Sequence, residues 1–253
     1  MSGISVVIPV YNEVNEIKKV IDKLRDTFSR AGLDHEFIVV DDASIDGSGA
    51  VLDGIEGIIL LRNSANSGYG ASLKNGIRRS SYDVIAIADA DNTYPVEDIP
   101  GLLGQMESGD NDMVVGERKN IVYPRFNWLK QRGRNVIDLL CSYLAGAWIP
   151  DINSGLRLFK RAKMKEFESE LCDRFSFTTS LTLLFFFKGY KVSYFPVDYC
   201  LEPTERKTKV RIWKDGWRTL LLIFSLGLRH AAARTAVLLL APLALIAVLI
   251  ILI

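Results

Sequence analysis

Five short runs rich in Val and Ile, separated by helical patterns, constrain the fold of this chain more than any other feature. Residues 4–10, 36–42, 57–61, 84–88 and 112–116 read as strands. Residues 13–31, 47–54 and 69–79 read as the helices between the first four, and 98–108 as a weaker helix before the fifth. Strands alternating with helices predict an α/β domain with a mostly parallel sheet, helices on both faces and right-handed crossovers. A length of 253 residues suits one large domain of this kind plus an appendage. After Gly116 the alternation stops. Residues 123–148 read as a loop and then a helix carrying Arg125, Lys130, Arg132 and Arg134, and 151–160 as a return to the sheet. A helix over 175–188 and a strand over 190–201 follow.

Polar and acidic residues follow three of the strands. Tyr11, Asn12 and Glu13 follow the first, Asp41 and Asp42 close the second, and Asp89-Ala90-Asp91 follow the fourth. Open α/β sheets bind ligands outside the carboxyl ends of their strands, so parallel neighbours would bring these groups to one edge. Carboxylates at i and i+2 leaving a strand offer hard oxygen ligands to Mg²⁺ or Mn²⁺ and, through the cation, to a diphosphate. A carboxylate at a neighbouring strand end accepts from a ribose hydroxyl or a base imide, so the expected guest is a nucleotide. Asp-rich turns and helix caps are the competing account. They explain one or two of the clusters, but three at corresponding strand ends are hard to obtain by chance.

The apolar residues, 49% of the chain, are unevenly spread. Residues 235–253 carry no charge, are interrupted only by Pro242, and match the ~20 residues of one bilayer-crossing helix. A buried core helix is the alternative, and it lacks anything to pack against on all sides. Residues 203–234 hold eight Lys or Arg against Glu205 and Asp215, while the rest of the chain holds 23 basic and 28 acidic residues. Basic residues beside a span mark the cytoplasmic side and attract anionic headgroups. Trp213 and Trp217 beside Lys214 and Arg218 predict an interfacial helix over 211–228, with ordinary helix-on-sheet packing as the rival. The expected organisation is a globular domain over 1–205, a basic loop and interfacial helix over 206–234, and a transmembrane anchor over 235–253. The domain is therefore expected on the cytoplasmic side. No basic segment followed by an apolar stretch opens the chain, so no signal peptide is expected. Cys141, Cys172 and Cys200 lack metal-type spacing and read as reduced core thiols. Membrane lipids are expected partners; nucleic acid is not.

Gly68-Tyr69-Gly70-Ala71-Ser72-Leu73 partly imitates a dinucleotide-binding fingerprint. Leu73 replaces the third glycine, and the segment follows the third strand instead of the first. It reads instead as a glycine-tolerant loop and helix start near the nucleotide.

Six stretches carry a resemblance: VVIPVYNE (6–13), VVDDAS (39–44), ADADNTYP (88–95), VVGER (114–118), QRGRN (131–135) and DINSGLRLFKR (151–161). Over roughly residues 4–225 the chain resembles the family-2 glycosyltransferases of the GT-A fold, particularly the dolichyl- and polyprenyl-phosphate sugar transferases. The resemblance implies a Rossmann-type sheet and inverting transfer of a hexose from a GDP-mannose- or UDP-glucose-type donor. The acceptor would be a dolichyl or undecaprenyl phosphate at the cytoplasmic membrane face, and the cofactor Mg²⁺ or Mn²⁺. It implies that Pro9, Tyr11, Glu13, Val39 and Asp41, with Asp42 beside them, bind the nucleoside. Asp89 and Asp91 would hold the metal and diphosphate, with Ala90 contributing backbone and Thr93 a metal-side hydroxyl. Arg118 falls near the donor, and Arg132 and Asn135 near the acceptor phosphate. Arg206 and Lys209 match a basic loop, although Arg206-Lys207-Thr208-Lys209 lacks the family's glycine. Asp151 would be a base only in a relative with a hydroxyl acceptor. The rivals are a transferase acting on a hydroxyl of a lipid-linked glycan or polysaccharide, and a silent membrane scaffold. A homo-oligomer is compatible with either reading.

Overall fold

The structure, a computed structural model, describes residues 3–119, 128–199 and 212–240. In chain order its elements are β1 (Ile4–Val10), α1 (Ile17–Ala31), β2 (His35–Asp41), α2 (Ser48–Asp53), β3 (Ile59–Arg62), α3 (Tyr69–Arg79), β4 (Val84–Ile87) and α4 (Ile99–Ser108). β5 (Met113–Lys119), α5 (Trp128–Ala145), β6 (Arg157–Lys160), α6 (Arg161–Lys165), α7 (Phe177–Phe187), β7 (Val192–Asp198) and α8 (Ile212–His230) complete the series. The first five strands fall where the apolar runs place them, within a few residues.

The strands form one sheet in the order β3-β2-β1-β4-β6-β5-β7. All are parallel except β6, which runs antiparallel to both β4 and β5. Only four residues of the expected 151–160 segment join the sheet, and residues 151–156 lie at its edge. Side chains alternate faces, as the pleat requires. Val6, Ile8, Val39 and Ala86 pack with Ile21 and Leu24 of α1 and Leu102 of α4, and Val7, Ile38, Val40 and Ile87 pack with Leu73 of α3 and Leu181 of α7. Both faces are therefore covered, which explains why the central strands are mostly apolar, with Ser5 of β1 a buried exception.

Pro9 sits near the end of a central strand, where a missing N–H would ordinarily break the ladder. It is tolerated because the β1–β4 pairing stops at Val7–Ile87, two residues earlier. The chain leaves β1 toward β2 on one side and returns through α3 to β4 on the other. The switch point between β1 and β4 is where a sheet of this order opens a crevice.

Near the C-terminus, α8 packs on α7 and α5 through Thr219, Ile223 and Leu226 while exposing Trp217, Leu221 and Leu228. One face of this helix is thus packed, on neighbouring helices and not on the sheet as the rival account has it. Helical residues 232–240 continue from it, and Arg234 Nη1 donates to Leu144 O at the end of α5 (2.9 Å). Among the described residues no helix is long and apolar enough to cross a membrane. Most of the expected anchor, residues 241–253, lies outside the described residues, as do Cys200, Arg206 and Lys209. Cys141 is buried and Cys172 half-buried, both as free thiols.

Candidate active site

The carboxyl ends of β1, β2, β4 and β5 and the segment leading into β6 share one edge of the sheet. Asp89 and Asp91 leave β4 there. The Tyr69 hydroxyl, from the start of α3, donates to Asp89 Oδ1 (2.9 Å). The Thr93 backbone N–H and hydroxyl both donate to Asp91 Oδ1 (3.1 and 2.6 Å), a local turn that fixes this side chain as well. Burial and the neighbouring Asp91 charge push the Asp89 carboxyl up to about 7, against the Tyr69 hydrogen bond and the charges of Arg118 and Arg157. Two carboxylates that resist being ionised together are what a divalent cation would relieve. Asn92, between Asp91 and Thr93, adds a buried side-chain oxygen with no hydrogen-bond partner. Among the described residues no cluster of three or more His, Cys, Asp or Glu surrounds a common point. The donor set therefore fits a cation held by two carboxylates and completed by diphosphate oxygens and water, as Mg²⁺ and Mn²⁺ accept.

Opposite this pair lies a buried ionic network. Arg118, at the end of β5, grips Asp151 with Nε on Oδ2 (2.7 Å) and Nη2 on Oδ1 (2.8 Å), and its guanidinium lies 5.3 Å from the Tyr199 ring centre. Arg134 of α5 reaches the same carboxylate (2.9 Å). Burial alone would raise the Asp151 carboxyl, but the Arg118 hydrogen bonds and the two arginine charges hold it below the usual range. The resemblance gave Asp151 a base's role only with a hydroxyl acceptor. Here the carboxylate is fully buried with both oxygens on Arg118, which leaves it little proton affinity. It orients arginines instead.

Asp138 of α5 belongs to the same network. Burial, with the Asp151 charge, pushes its carboxyl up to about 6, against the Ile152 N–H donor (3.1 Å) and the charges of Arg134 and Arg118. The unfolded chain releases this proton nearer pH 4, so between about pH 4 and 6 the folded state holds the extra proton. The contribution of this carboxyl to stability accordingly falls as pH rises through that window, by at most about 3 kcal/mol. Chemical denaturation of wild type and Asp138→Asn from about pH 4 to 7 checks this. The wild type should lose stability relative to the variant up to about pH 6 and then run parallel to it.

The edge expected to take the nucleoside is built by β1 and β2. Pro9, Tyr11 and Glu13 are half-buried at the edge, and the Glu13 N–H donates to Ser48 Oγ (2.8 Å). Asp41 accepts from the Ser44 N–H (3.0 Å). Val39 is fully buried in the sheet and paired on both sides, to Ile8 and Leu60, so its side chain belongs to the core. Asp42 accepts from Asn63 Nδ2 (2.7 Å) and from the N–H groups of Ser67 (2.8 Å) and Gly68 (2.9 Å); both oxygens are engaged in shaping the 63–68 loop. Ala90 is buried, which leaves only its backbone for a ligand. Arg132 and Asn135 are exposed on α5. Gly70 needs its hydrogen for a reason unrelated to phosphate: a Cβ there would lie 2.9 Å from the Asp173 carbonyl carbon, where residues 172–173 cross the start of α3.

Several residues with no role assigned from sequence hold the site together. Arg157, at the start of β6, is fully buried and donates through Nη1 to Thr178 O (3.1 Å) and Thr182 Oγ1 (2.8 Å), and through Nε to Ser154 O (3.1 Å). Thr179 Oγ1 reaches Asn153 (2.6 Å). The hydroxyl-rich run Thr178–Thr179–Ser180 inside an otherwise apolar helix was the signal that α7 faces a buried polar partner.

Comparison with known proteins decides the family. The model of "Glycosyl transferase family 2" matches residues 5–168. The chain belongs to glycosyl transferase family 2. The match covers β1 to β6, and with them every strand end described above. Low-salt glycan biosynthesis hexosyltransferase Agl6 of Haloferax volcanii is 27% identical over 218 residues, 85% of this chain and 51% of that protein. An undecaprenyl-phosphate 4-deoxy-4-formamido-L-arabinose transferase of Enterobacter sp. (strain 638) is 31% identical over 163 residues, 62% of this chain and 49% of that protein. The chain thus spans about half the length of the curated relatives it matches. Glucosyl-3-phosphoglycerate synthase from Mycobacterium tuberculosis superposes with a TM-score of 0.70 at 18% identity, over 89% of this chain and 80% of that one. At that identity the likeness shows the shared GT-A-like fold. Crystal structures of that synthase include complexes with UDP and Mn²⁺ or Mg²⁺.

Proposed function

We propose that this family-2 glycosyltransferase moves one hexose, with inversion, from a nucleoside-diphosphate sugar to a polyprenyl phosphate at the cytoplasmic face of a membrane. The observation that carries the reading is the meeting, at one sheet edge, of the Asp89–Asp91 pair with the arginine network around Asp151. A divalent cation between the two carboxylates would neutralise the departing diphosphate. Tyr11, Glu13 and Asp41 border the crevice beside them, where the nucleoside would sit. Arg118 binds Asp151 and its charge is felt at Asp89, so it would face donor and acceptor.

The arrangement suits a phosphate acceptor better than a hydroxyl. A hydroxyl nucleophile needs a general base, and Asp151 is engaged with arginines. A phosphate monoester, with a second pKa of about 6, is already anionic near neutral pH. Its requirement is cationic positioning that offsets repulsion from the donor diphosphate, which Arg118, Arg132 and Arg134 would supply, aided by Arg206 and Lys209. The undecaprenyl-phosphate transferases among the relatives support this acceptor class.

The proposed location follows from the outer faces of α5 and α8. Val136, Leu139 and Tyr143 are exposed along α5, with Trp148 beyond its end, and Trp217, Leu221 and Leu228 along α8. Aromatic and aliphatic groups on basic helices favour the headgroup layer, and residues 235–253 would anchor the chain there. An enzyme tethered beside its lipid acceptor gains effective concentration without new contacts. The test is product analysis with membranes, a panel of nucleotide sugars and polyprenyl phosphate. A sugar phosphodiester labile to mild acid is expected. An acid-stable glycoside would instead establish the hydroxyl acceptor, and no transfer or nucleotide-sugar binding the scaffold.

A further inference from the structure

We propose that Tyr69 and Gly155 are positioning residues for Asp89: a phenol on one side and bare backbone on the other fix the orientation of this carboxylate toward a divalent cation. The proposal rests on the metal reading given above. Tyr69 is the first residue of α3, in the segment that imitates a phosphate-binding loop. Its ring packs against the apolar layer under α3, and its hydroxyl donates to Asp89 Oδ1 (2.9 Å). A phenol keeps its proton near neutral pH, so it serves as the donor.

Gly155 closes the other side. A Cβ at this position would lie 2.7 Å from Asp89 Cγ and closer still to Oδ2. The backbone cannot retreat from the carboxylate. The Gly155 N–H donates to the hydroxyl of buried Tyr94 (2.8 Å), and Arg157 holds the preceding Ser154 carbonyl. Any side chain at 155 therefore has to displace the carboxylate. The partner ligand is treated in parallel: the Thr93 hydroxyl engages Asp91 Oδ1. Each acidic side chain thus has one oxygen committed to a hydroxyl, an outer-shell arrangement that orients ligands before the cation arrives.

The experiment uses the full chain in detergent. Mn²⁺ is titrated by electron paramagnetic resonance, alone and with UDP or GDP, for wild type, Tyr69→Phe, Gly155→Ala and Asp91→Ala. Melting temperatures are recorded without metal. Tyr69→Phe and Gly155→Ala should each weaken Mn²⁺ binding by roughly 10- to 100-fold, the usual effect of losing an outer-shell partner, with little change in metal-free melting. Mn²⁺ affinity within about twofold of wild type in both variants would overturn the clamp, whatever their melting temperatures, because a merely structural role moves only the latter. If one variant does not fold, the other carries the test; loss of fold in both would assign the pair to structure and overturn the proposal. Wild type that holds no Mn²⁺ under any condition, or Asp91→Ala that binds like wild type, would sink the underlying metal reading instead.

Discussion

Asp91→Ala should lower sugar transfer by at least about 10³-fold, the effect of removing several kcal/mol of charge stabilisation from a leaving diphosphate. Asp91 is half-buried at the crevice edge, and its Oδ1 accepts from the Thr93 N–H and hydroxyl within its own turn. The substitution removes the proposed ligand from the edge of the sheet and not from its core, and the melting temperature should move little. It also removes the charge that helps raise the Asp89 carboxyl. Excess Mn²⁺ should recover little activity, since one carboxylate cannot replace a pair. Transfer of labelled sugar to polyprenyl phosphate in membranes measures the effect. Wild-type-like turnover would remove the cation from the account of this enzyme.

Arg157→Met should cost about 3–5 kcal/mol of stability, because a side chain of similar length removes the donors but not the acceptors. The Thr178, Ser154 and Ile152 carbonyls and the Thr182 hydroxyl would lose this donor inside the protein. Burial lowers the proton affinity of this guanidinium, yet an arginine remains charged, so the site encloses a permanent cation. For a chain of this size the expected fall in melting temperature is roughly 10 °C. Activity should drop further than stability alone explains, since Arg157 holds the loop that carries Asp151 and Gly155. Arg157→Lys should restore only part of either, as a single ammonium cannot serve acceptors set around a planar fork. A melting temperature within about 2 °C of wild type for Arg157→Met would show the loop to be held by something else.

Strand ends were legible because two signals coincide there. An apolar run buried on both faces turns polar where it leaves the sheet, so the changes after Val10, Val40 and Ala88 mark the strand ends to within a residue or so. The acidic groups that follow are ordered by the parallel pairing, and the motif spacing of 88–95 and 151–161 pointed to the family. Val39 and Asp42 were assigned to the nucleoside by resemblance alone, and their side chains also have structural roles. The first falls on the inward side of the pleat, and the second turns toward Asn63, 21 residues away, where no local pattern leads.

The linear sequence alone determined the α/β alternation, the place of the carboxylate pair after the fourth strand, and the concentration of basic and apolar residues toward the C-terminus. These follow from side-chain periodicity and composition, which are local properties. Only the tertiary structure decided that β6 runs antiparallel between β4 and β5, carrying Asp151 and Gly155 to the edge where Asp89 and Arg118 stand. It alone turned Asp151 from a candidate base into an arginine holder, and Tyr69 from a loop residue into a donor to Asp89. Contacts such as these join residues 20 to 66 positions apart, and their geometry is set by how the layers stack, which no periodicity encodes.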